Sequence, residues 1–146
     1  MVPKTQDKGD ASPEPGNRAP TILLVDDEAL IRAMLSDYLQ ECGYKVLEAS
    51  TGEEAILILD TAHVAVDLVF TDISMPGSVD GFALSKWVHA NRPGMPVILT
   101  SGDGRKTEAA MELCEDQPFI EKPYDLKMVV AQIRASINKA RTNPKR

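Results

Sequence analysis

Residues 66–76 read VDLVFTDISMP, and this stretch decides the fold. Its first half is apolar and β-branched, a pattern typical of a strand that is buried on both faces of a parallel sheet. Asp72 stands where the apolar run stops and a turn begins. A carboxylate at the carboxyl end of a buried strand lies at the sheet edge where α/β folds bind ligands. We therefore interpret Asp72 as the chemical centre of the protein.

Length and composition indicate one domain in the cytoplasm. A chain of 146 residues can bury a real core. The net charge of -6 argues against a nucleic-acid-binding surface, which needs clustered Lys and Arg. No apolar run approaches the roughly 20 residues that span a bilayer, so we expect no membrane contact. Cys42 and Cys114 are far apart and form no CxxC motif, which fits two thiols in a reducing cytosol.

Both ends of the chain differ from its middle. Residues 1–19 are polar and rich in Pro and Gly, so we predict a flexible N-terminal tail. Residues 20–140 form the predicted folded domain, and residues 141–146 form a short basic tail. We expect no DNA-binding domain and no catalytic effector after the last predicted helix.

Strand and helix patterns alternate five times between the tails. Apolar runs predict strands at residues 21–25, 44–49, 66–72, 97–101 and 119–121. Apolar positions at helical spacing and capping residues predict helices at about residues 28–42, 52–62, 81–92, 104–115 and 126–140. Asp80 is the expected N-cap of the third helix, and the thin apolar face of the fourth suits a mobile element. Alternating units of this kind predict an α/β fold with a parallel sheet between helices.

Polar side chains follow four of the predicted strands where those strands end. Parallel strands bring their carboxyl ends to one edge of the sheet. The residues that meet there are Asp26, Asp27, Asp72, Thr100, Ser101 and Lys122. Each residue alone could be an ordinary turn former, helix cap or surface lysine. Their common position at one edge of the sheet predicts a functional site.

This combination of residues predicts metal-assisted phosphoryl chemistry. Three carboxylates in one cleft repel each other, and a hard cation such as Mg²⁺ removes that penalty. A lysine and a hydroxyl can hold the oxygens of a phosphoryl group, whose transfer depends mostly on positioning and charge neutralisation. No Ser-His or Cys-His pairing is in evidence, whereas a carboxylate can itself act as a nucleophile. If the strand order is 2-1-3-4-5, Asp72 lies on the middle strand and is the carboxylate flanked by both the acid pair and the Thr/Lys pair.

Four motifs carry a resemblance that covers about residues 20–140. They are LVDDE at 24–28, TDISMP at 71–76 followed by DG at 80–81, LTSG at 99–102 and EKP at 121–123. In this order and spacing they resemble the receiver domain of bacterial two-component response regulators, in its stand-alone form. The resemblance implies a flavodoxin-like (βα)5 doubly wound sheet with five parallel strands in the order 2-1-3-4-5.

The resemblance also implies a role for each acidic residue. Asp72 would accept a phosphoryl group from a phosphohistidine on a sensor histidine kinase or a histidine phosphotransfer protein. Asp27 would bind Mg²⁺ directly and Asp26 chiefly through water, and the backbone carbonyl of Ser74 would be a further ligand. The protein would not be an enzyme beyond catalysing its own phosphorylation and autodephosphorylation.

Three further residues would read out the phosphoryl group. Lys122 would pair with Asp72 at rest and with the phosphoryl group afterwards, and Thr100 would turn its hydroxyl to a phosphoryl oxygen. Phe119 would be the aromatic switch that swings inward as Thr100 moves. Lys122-Pro123 would be a cis peptide, which only X-Pro bonds adopt cheaply. The surface of the fourth helix, fifth strand and fifth helix would change and bind a downstream protein.

Two positions depart from the commonest pattern of the family. The loop at residues 77–79 is about one residue longer, which should alter the lip of the cleft but not the ligands. Ile73, and not an aromatic residue, follows Asp72. Trp87 lies on the predicted third helix, so its fluorescence should not report metal binding.

Other classes of protein fit the sequence less well. A haloacid-dehalogenase-type hydrolase of aspartyl phosphate needs a second acid where Ser74 stands, so this class is disfavoured. A flavodoxin-type flavin binder needs a hydroxyl- and glycine-rich phosphate loop where Asp26 and Asp27 stand, and these acids repel phosphate unless a metal intervenes. A degenerate receiver would have lost the acids or Lys122, and this chain keeps all of them. Among receivers, an output switch and an intermediate carrier in a phosphorelay are both compatible with the motifs, as is homodimerisation on phosphorylation.

Overall fold

Five parallel strands form the centre of the protein. The computed structural model describes residues 19–61, 63–102 and 119–142. The strands are β1 (Thr21–Val25), β2 (Lys45–Ala49), β3 (Leu68–Asp72), β4 (Val97–Ser101) and β5 (Phe119–Glu121). They pair in the order β2-β1-β3-β4-β5, and every neighbouring pair is parallel. The predicted fold class and strand order are confirmed.

Helices cover both faces of this sheet. They are α1 (Ala29–Glu41), α2 (Gly52–Leu59), α3 (Gly81–Asn91) and a C-terminal helix (Leu126–Thr142). The C-terminal helix therefore continues two residues past the predicted domain boundary at 140, and α2 ends before the predicted residue 62. The predicted fourth helix at residues 104–115 lies outside the described residues. No helix in the described ranges is long and apolar enough to cross a membrane.

Alternate residues of the strands build two separate cores. On β1, Ile22 and Leu24 point to the core under α1 and the C-terminal helix, while Leu23 and Val25 point to the core under α2 and α3. All four side chains are fully buried. A strand buried on both faces needs apolar residues at successive positions, which explains why the strand segments read as continuous apolar runs.

Side chains cap two of the helices as their sequences predict. Thr51 Oγ1 accepts a hydrogen bond from the backbone N–H of Glu54 at 3.0 Å, and Glu54 Oε1 accepts one from the N–H of Ser50 at 2.9 Å. Asp80 accepts from the N–H of Ala83 at 2.9 Å and so starts α3. Each cap pairs a backbone donor that the first helical turn leaves unpaired. The Asp80 cap fixes α3 directly beyond the end of β3.

Candidate functional site

Three carboxylates meet at the carboxyl end of the sheet. β1 and β3 are adjacent strands, with Val25 opposite Thr71, so the residues that follow them come together. Asp26, Asp27 and Asp72 each offer one oxygen, and these three oxygens lie within 4.8 Å of one another. Asp26 and Asp72 are buried, whereas Asp27 is exposed. The predicted acidic cluster therefore exists as a group that could hold a metal ion.

Backbone and side-chain hydrogen bonds fix Asp26 in this cluster. Its N–H donates to the carbonyl of Ala49 at 3.1 Å, and its Oδ1 accepts from the N–H of Glu28 at 2.9 Å. Its own carbonyl accepts from Nη1 of Arg32 at 2.6 Å. The Arg32 guanidinium also donates to Glu48 on β2 at 2.9 Å. These hydrogen bonds connect the first acidic loop, which follows β1, to β2 and α1.

Lys122 supplies the positive charge opposite the carboxylates. Its Nζ lies 3.3 Å from Oδ2 of Asp26, 3.3 Å from Oε1 of Glu28 and 3.6 Å from Oδ2 of Asp72. Its backbone N–H donates to the carbonyl of Ser101 at 3.0 Å, which anchors it at the end of β4. The Lys122-Pro123 peptide bond is cis. One ammonium group is therefore shared among three carboxylates.

Burial and crowding change the acidity of the two central groups. Burial raises the pKa of Asp72 to about 6, with the charge of Lys122 opposing the shift and those of Asp26 and Asp27 adding to it. For Lys122, burial works to lower the pKa. Tyr124, which is ionised only at the high pH where Lys122 titrates, and the carboxylates of Asp72 and Asp26 outweigh burial and raise the pKa above its usual range. The lysine stays charged, and it offsets only part of the effect of burial on Asp72.

Thr100 lies beside Asp72 and is fully buried. Its Oγ1 accepts a hydrogen bond from the hydroxyl of Tyr124 at 3.1 Å. The Tyr124 ring stands edge-on against Phe70, with ring centroids 5.8 Å apart. Burial raises the pKa of Tyr124 to about 12, so its hydroxyl is protonated at neutral pH and able to donate. Tyr124 is thus the aromatic residue bonded to Thr100.

Phe119 occupies a different place from Tyr124. It pairs with Leu99 on β4 and is half-buried against the core under α2 and α3. Tyr124 packs against the core on the opposite face of the sheet. The predicted aromatic switch and the aromatic partner of Thr100 are therefore two residues.

A cleft opens beside the carboxylates along the loop that joins β3 to α3. Its volume is about 460 Å³. The lining residues are Asp27, Ser74, Met75, Pro76, Gly77, Ser78 and Asp80. Ser74, the predicted donor of a backbone ligand, therefore shares the cleft wall with Asp27.

The start of α3 packs directly against the end of β3. The N–H of Gly81 donates to the carbonyl of Ile73 at 2.9 Å. A Cβ at Gly81 would collide with the backbone oxygen of Asp72 and the Cα of Ile73, so only glycine fits. This close approach sets where β3 ends and where Asp72 leaves the sheet.

Sequence reasoning missed three residues of the site. Glu28 was assigned to the start of the first helix, although it is the third acid of the run that ends β1. Tyr124 directly follows the motif at 121–123, and Arg32 lies one helical turn after Glu28. Their positions beside known motifs were the available signal, but the contacts themselves depend on side chains reaching across the sheet edge.

Comparison with known proteins agrees with the fold and identifies the family. The family profile of the response regulator receiver domain matches residues 22–134. The response regulator GtcR of Aneurinibacillus migulanus is 36% identical over 121 residues, which cover 82% of this chain and 48% of that protein. The autoinducer 1 sensor kinase/phosphatase LuxN of Vibrio campbellii is 34% identical over 110 residues, 75% of this chain and 13% of that protein.

Solved receiver structures superpose closely on this chain. A CheY-like receiver domain protein from Methanospirillum hungatei has a TM-score of 0.77 at 25% identity, covering 86% of this chain and 98% of that one. A receiver protein from Sinorhizobium medicae has a TM-score of 0.76 at 30% identity, covering 84% of this chain and 97% of that one.

Fold and site together define a signalling domain of the receiver type. The chain belongs to the response regulator receiver domain family of two-component systems, in which phosphorylation and Mg²⁺ binding are typical. Such domains are generally not classical enzymes. The chain spans about half the length of GtcR and a smaller part of LuxN.

Proposed function

We propose that this protein is a phosphorylation-dependent switch in which Asp72 accepts a phosphoryl group from the phosphohistidine of a partner kinase or phosphotransfer protein. The proposal rests on the groups that surround Asp72. Two further carboxylates lie within 4.8 Å of its oxygen, Lys122 Nζ lies at 3.6 Å, and Thr100 is its neighbour on β4. The predicted cytoplasmic location is part of this proposal.

Three carboxylate oxygens suit a Mg²⁺ ion, which prefers hard oxygen ligands. Asp26, Asp27 and Asp72 would hold it, with the backbone carbonyl of Ser74 as a further ligand. When bound, the ion would neutralise charge on the phosphoryl oxygens and orient them. The raised pKa of Asp72 supports this assignment, because a bound cation stabilises a buried carboxylate whose negative charge is only partly neutralised.

Phosphoryl transfer would use Asp72 as the nucleophile. A carboxylate oxygen of Asp72 forms a bond to phosphorus while the bond from phosphorus to the donor imidazole nitrogen breaks. The electron pair of that bond stays on the imidazole, which takes a proton from water. Lys122 contacts one phosphoryl oxygen and the Thr100 hydroxyl another, so the growing negative charge is matched by a cation and a donor.

The switch would act through Thr100 and Tyr124. The phosphoryl group adds about -1.5 to -2 of charge at the site. Thr100 has to direct its hydroxyl hydrogen at a phosphoryl oxygen, which changes its hydrogen bond with Tyr124. Tyr124 precedes the C-terminal helix, so its movement would change the surface of β5 and that helix for a downstream protein. The third part of that predicted surface, the helix at residues 104–115, lies outside the described residues.

An intermediate phosphoryl carrier is the second candidate. The identity of this chain to a part of LuxN, a sensor kinase/phosphatase, favours it, because a receiver within such a protein is placed for onward transfer. An aspartyl-phosphate hydrolase is disfavoured, since Ser74 stands where that class needs a second acid.

Intact-mass measurement after incubation with Mg²⁺ and a small phosphodonor tests the proposal. We expect one phosphoryl adduct, formed only with Mg²⁺ and absent in Asp72→Asn. Asp37→Asn is the matched control, because Asp37 is exposed on α1 and should leave labelling unchanged. Unmodified wild type under conditions that label a control receiver would refute the proposal. Transfer from the labelled protein to a histidine phosphotransfer protein would identify the carrier role.

A further inference from the structure

Glu53 connects α2 to the loop that lines the cleft. Its Oε2 accepts two hydrogen bonds from Ser78, one from the backbone N–H at 2.8 Å and one from Oγ at 2.9 Å. Glu53 lies in the first turn of α2, and Ser78 lies between β3 and α3. The N-cap of α2 is the Thr51 hydroxyl, which accepts from the backbone N–H of Glu54, so the Glu53 side chain is not needed for it.

The backbone of this loop packs against the Glu53 carboxylate. Gly77 has a φ of +97°, which side-chain-bearing residues rarely adopt. A Cβ there would lie 2.8 Å from Oε2 and 2.9 Å from Oε1 of Glu53, closer than real contacts allow. The backbone at Gly77 therefore passes directly over the carboxylate.

Both ends of the loop are held by other contacts. Before it, the N–H of Ile73 donates to the carbonyl of Thr100 at 2.9 Å. After it, Asp80 caps α3. Glu53 holds the middle, so the loop that carries Ser74 is fixed at three points along one wall of the cleft.

We propose that Glu53 is a positioning residue for the metal cleft, which holds the loop at residues 74–80 in its binding shape through Ser78. The inference rests on the proposed Mg²⁺ site. Without the Glu53 carboxylate, the loop occupies more conformations, and binding must restore the competent one. Mg²⁺ affinity therefore falls although no ligand is changed.

Calorimetric titration of the full chain with Mg²⁺ tests this role. We expect Glu53→Ala to weaken binding about three- to tenfold, at or below the effect of removing a partner that contacts a metal ligand. Glu53→Gln should bind nearly as wild type, because its amide oxygen can accept both hydrogen bonds. Ser78→Ala keeps the backbone N–H and should give an intermediate affinity.

Glu54→Ala is the matched control. It removes the same charge from the same helical turn and loses the hydrogen bonds from Ser50, while the Thr51 cap stays, so it should lower the melting temperature without changing Mg²⁺ affinity. Equal affinities of Glu53→Ala and Glu54→Ala would overturn the inference. Amide hydrogen exchange at Ser78 gives a second readout in metal-free protein, and we expect faster exchange in Glu53→Ala only. If wild type binds no Mg²⁺, the proposed function fails, whereas unchanged exchange at Ser78 overturns the role of Glu53 itself.

Discussion

The Nζ of Lys122 lies 3.6 Å from Oδ2 of Asp72, farther than its 3.3 Å distances to Asp26 and Glu28. The lysine therefore neutralises Asp72 only in part. Burial and the neighbouring acids dominate, and the pKa of Asp72 rises to about 6. In the metal-free protein, added positive charge would stabilise the ionised form of Asp72. This property is expected of a metal-dependent phosphoryl acceptor.

Asp72→Asn should stabilise the metal-free protein at pH 7.5. The pKa of Asp72 is raised from 3.8 to about 6 by folding, so the folded state binds its proton more tightly. The stability that this tighter proton binding adds to the folded wild-type protein is fully present below about pH 4 and is lost as the pH rises through 6. Removing the charge should raise the free energy of unfolding by about 1–2 kcal/mol at pH 7.5. Urea unfolding with a chelator at pH 7.5 and 4 measures the difference, and equal or lower stability of the variant at pH 7.5 would argue against it.

Mg²⁺ should stabilise the folded protein through the acidic cluster. At one hundred times its dissociation constant, the ion should add about 2.7 kcal/mol to the free energy of unfolding. Asp27→Asn removes a ligand but leaves the buried Asp26 in place, so most of this gain should disappear. Asp37→Asn, on the exposed face of α1, should keep it. The measurement is urea unfolding with and without Mg²⁺, and equal stabilisation of Asp27→Asn and wild type would exclude this cluster as the site.

Lys122→Met should destabilise the metal-free protein. The substitution keeps most of the side-chain volume but leaves the buried carboxylates of Asp26 and Asp72 without their cation. We expect a loss of about 2 kcal/mol, since uncompensated buried charges are costly. Lys86→Met, at an exposed position of α3, should change stability by less than about 0.5 kcal/mol. Comparable losses in the two variants would show that the contacts of Lys122 contribute little.

The hydrogen bond between Tyr124 and Thr100 should appear as a coupling energy. A double-mutant cycle of Tyr124→Phe and Thr100→Val should give about 1 kcal/mol, the usual net value of one hydrogen bond. The cycle of Tyr38→Phe with Thr100→Val should be additive, because Tyr38 lies on α1 and has no bond to Thr100 in the described structure. Additivity in both cycles would mean that the two hydroxyls are not coupled in solution.

Gly81→Ala should distort the end of β3. Its Cβ would collide with the backbone of Asp72 and Ile73, which cannot rotate away as a side chain would. We expect a loss of about 2 kcal/mol or more in unfolding free energy. At Gly102 the nearest atom to an added Cβ is 3.7 Å away, so Gly102→Ala should be nearly neutral. Equal thermal stabilities of the two variants would contradict the close approach.

The sequence determines much of the fold because the strands are buried on both faces. Such strands read as uninterrupted apolar runs, and β4 and β5 were predicted with their observed bounds. Helix ends were less accurate, because α2 could continue past Leu59 on propensity alone. The residues gathered at the sheet edge follow from parallel topology, so Asp26, Asp72 and Lys122 could be placed together in advance.

The remaining contacts of the site depend on how far individual side chains reach. Lys122 is 94 residues from Glu28, and no local pattern connects them. Glu53 and Glu54 look equivalent in sequence as candidates for a capping box, yet the Glu54 side chain accepts from the N–H of Ser50 and that of Glu53 accepts from Ser78. Only the path of the loop over α2 separates their roles, and that path is a tertiary property.

Chemical trapping of the phosphorylated residue tests the central claim most directly. Borohydride reduces an acyl phosphate on aspartate to homoserine, and peptide mass mapping then locates the change. After incubation with Mg²⁺ and a small phosphodonor, we predict homoserine at position 72 alone, and none without Mg²⁺. Homoserine at Asp26 or Asp27, or an undiminished phosphoryl adduct in Asp72→Asn, would contradict the assignment of Asp72 as the acceptor.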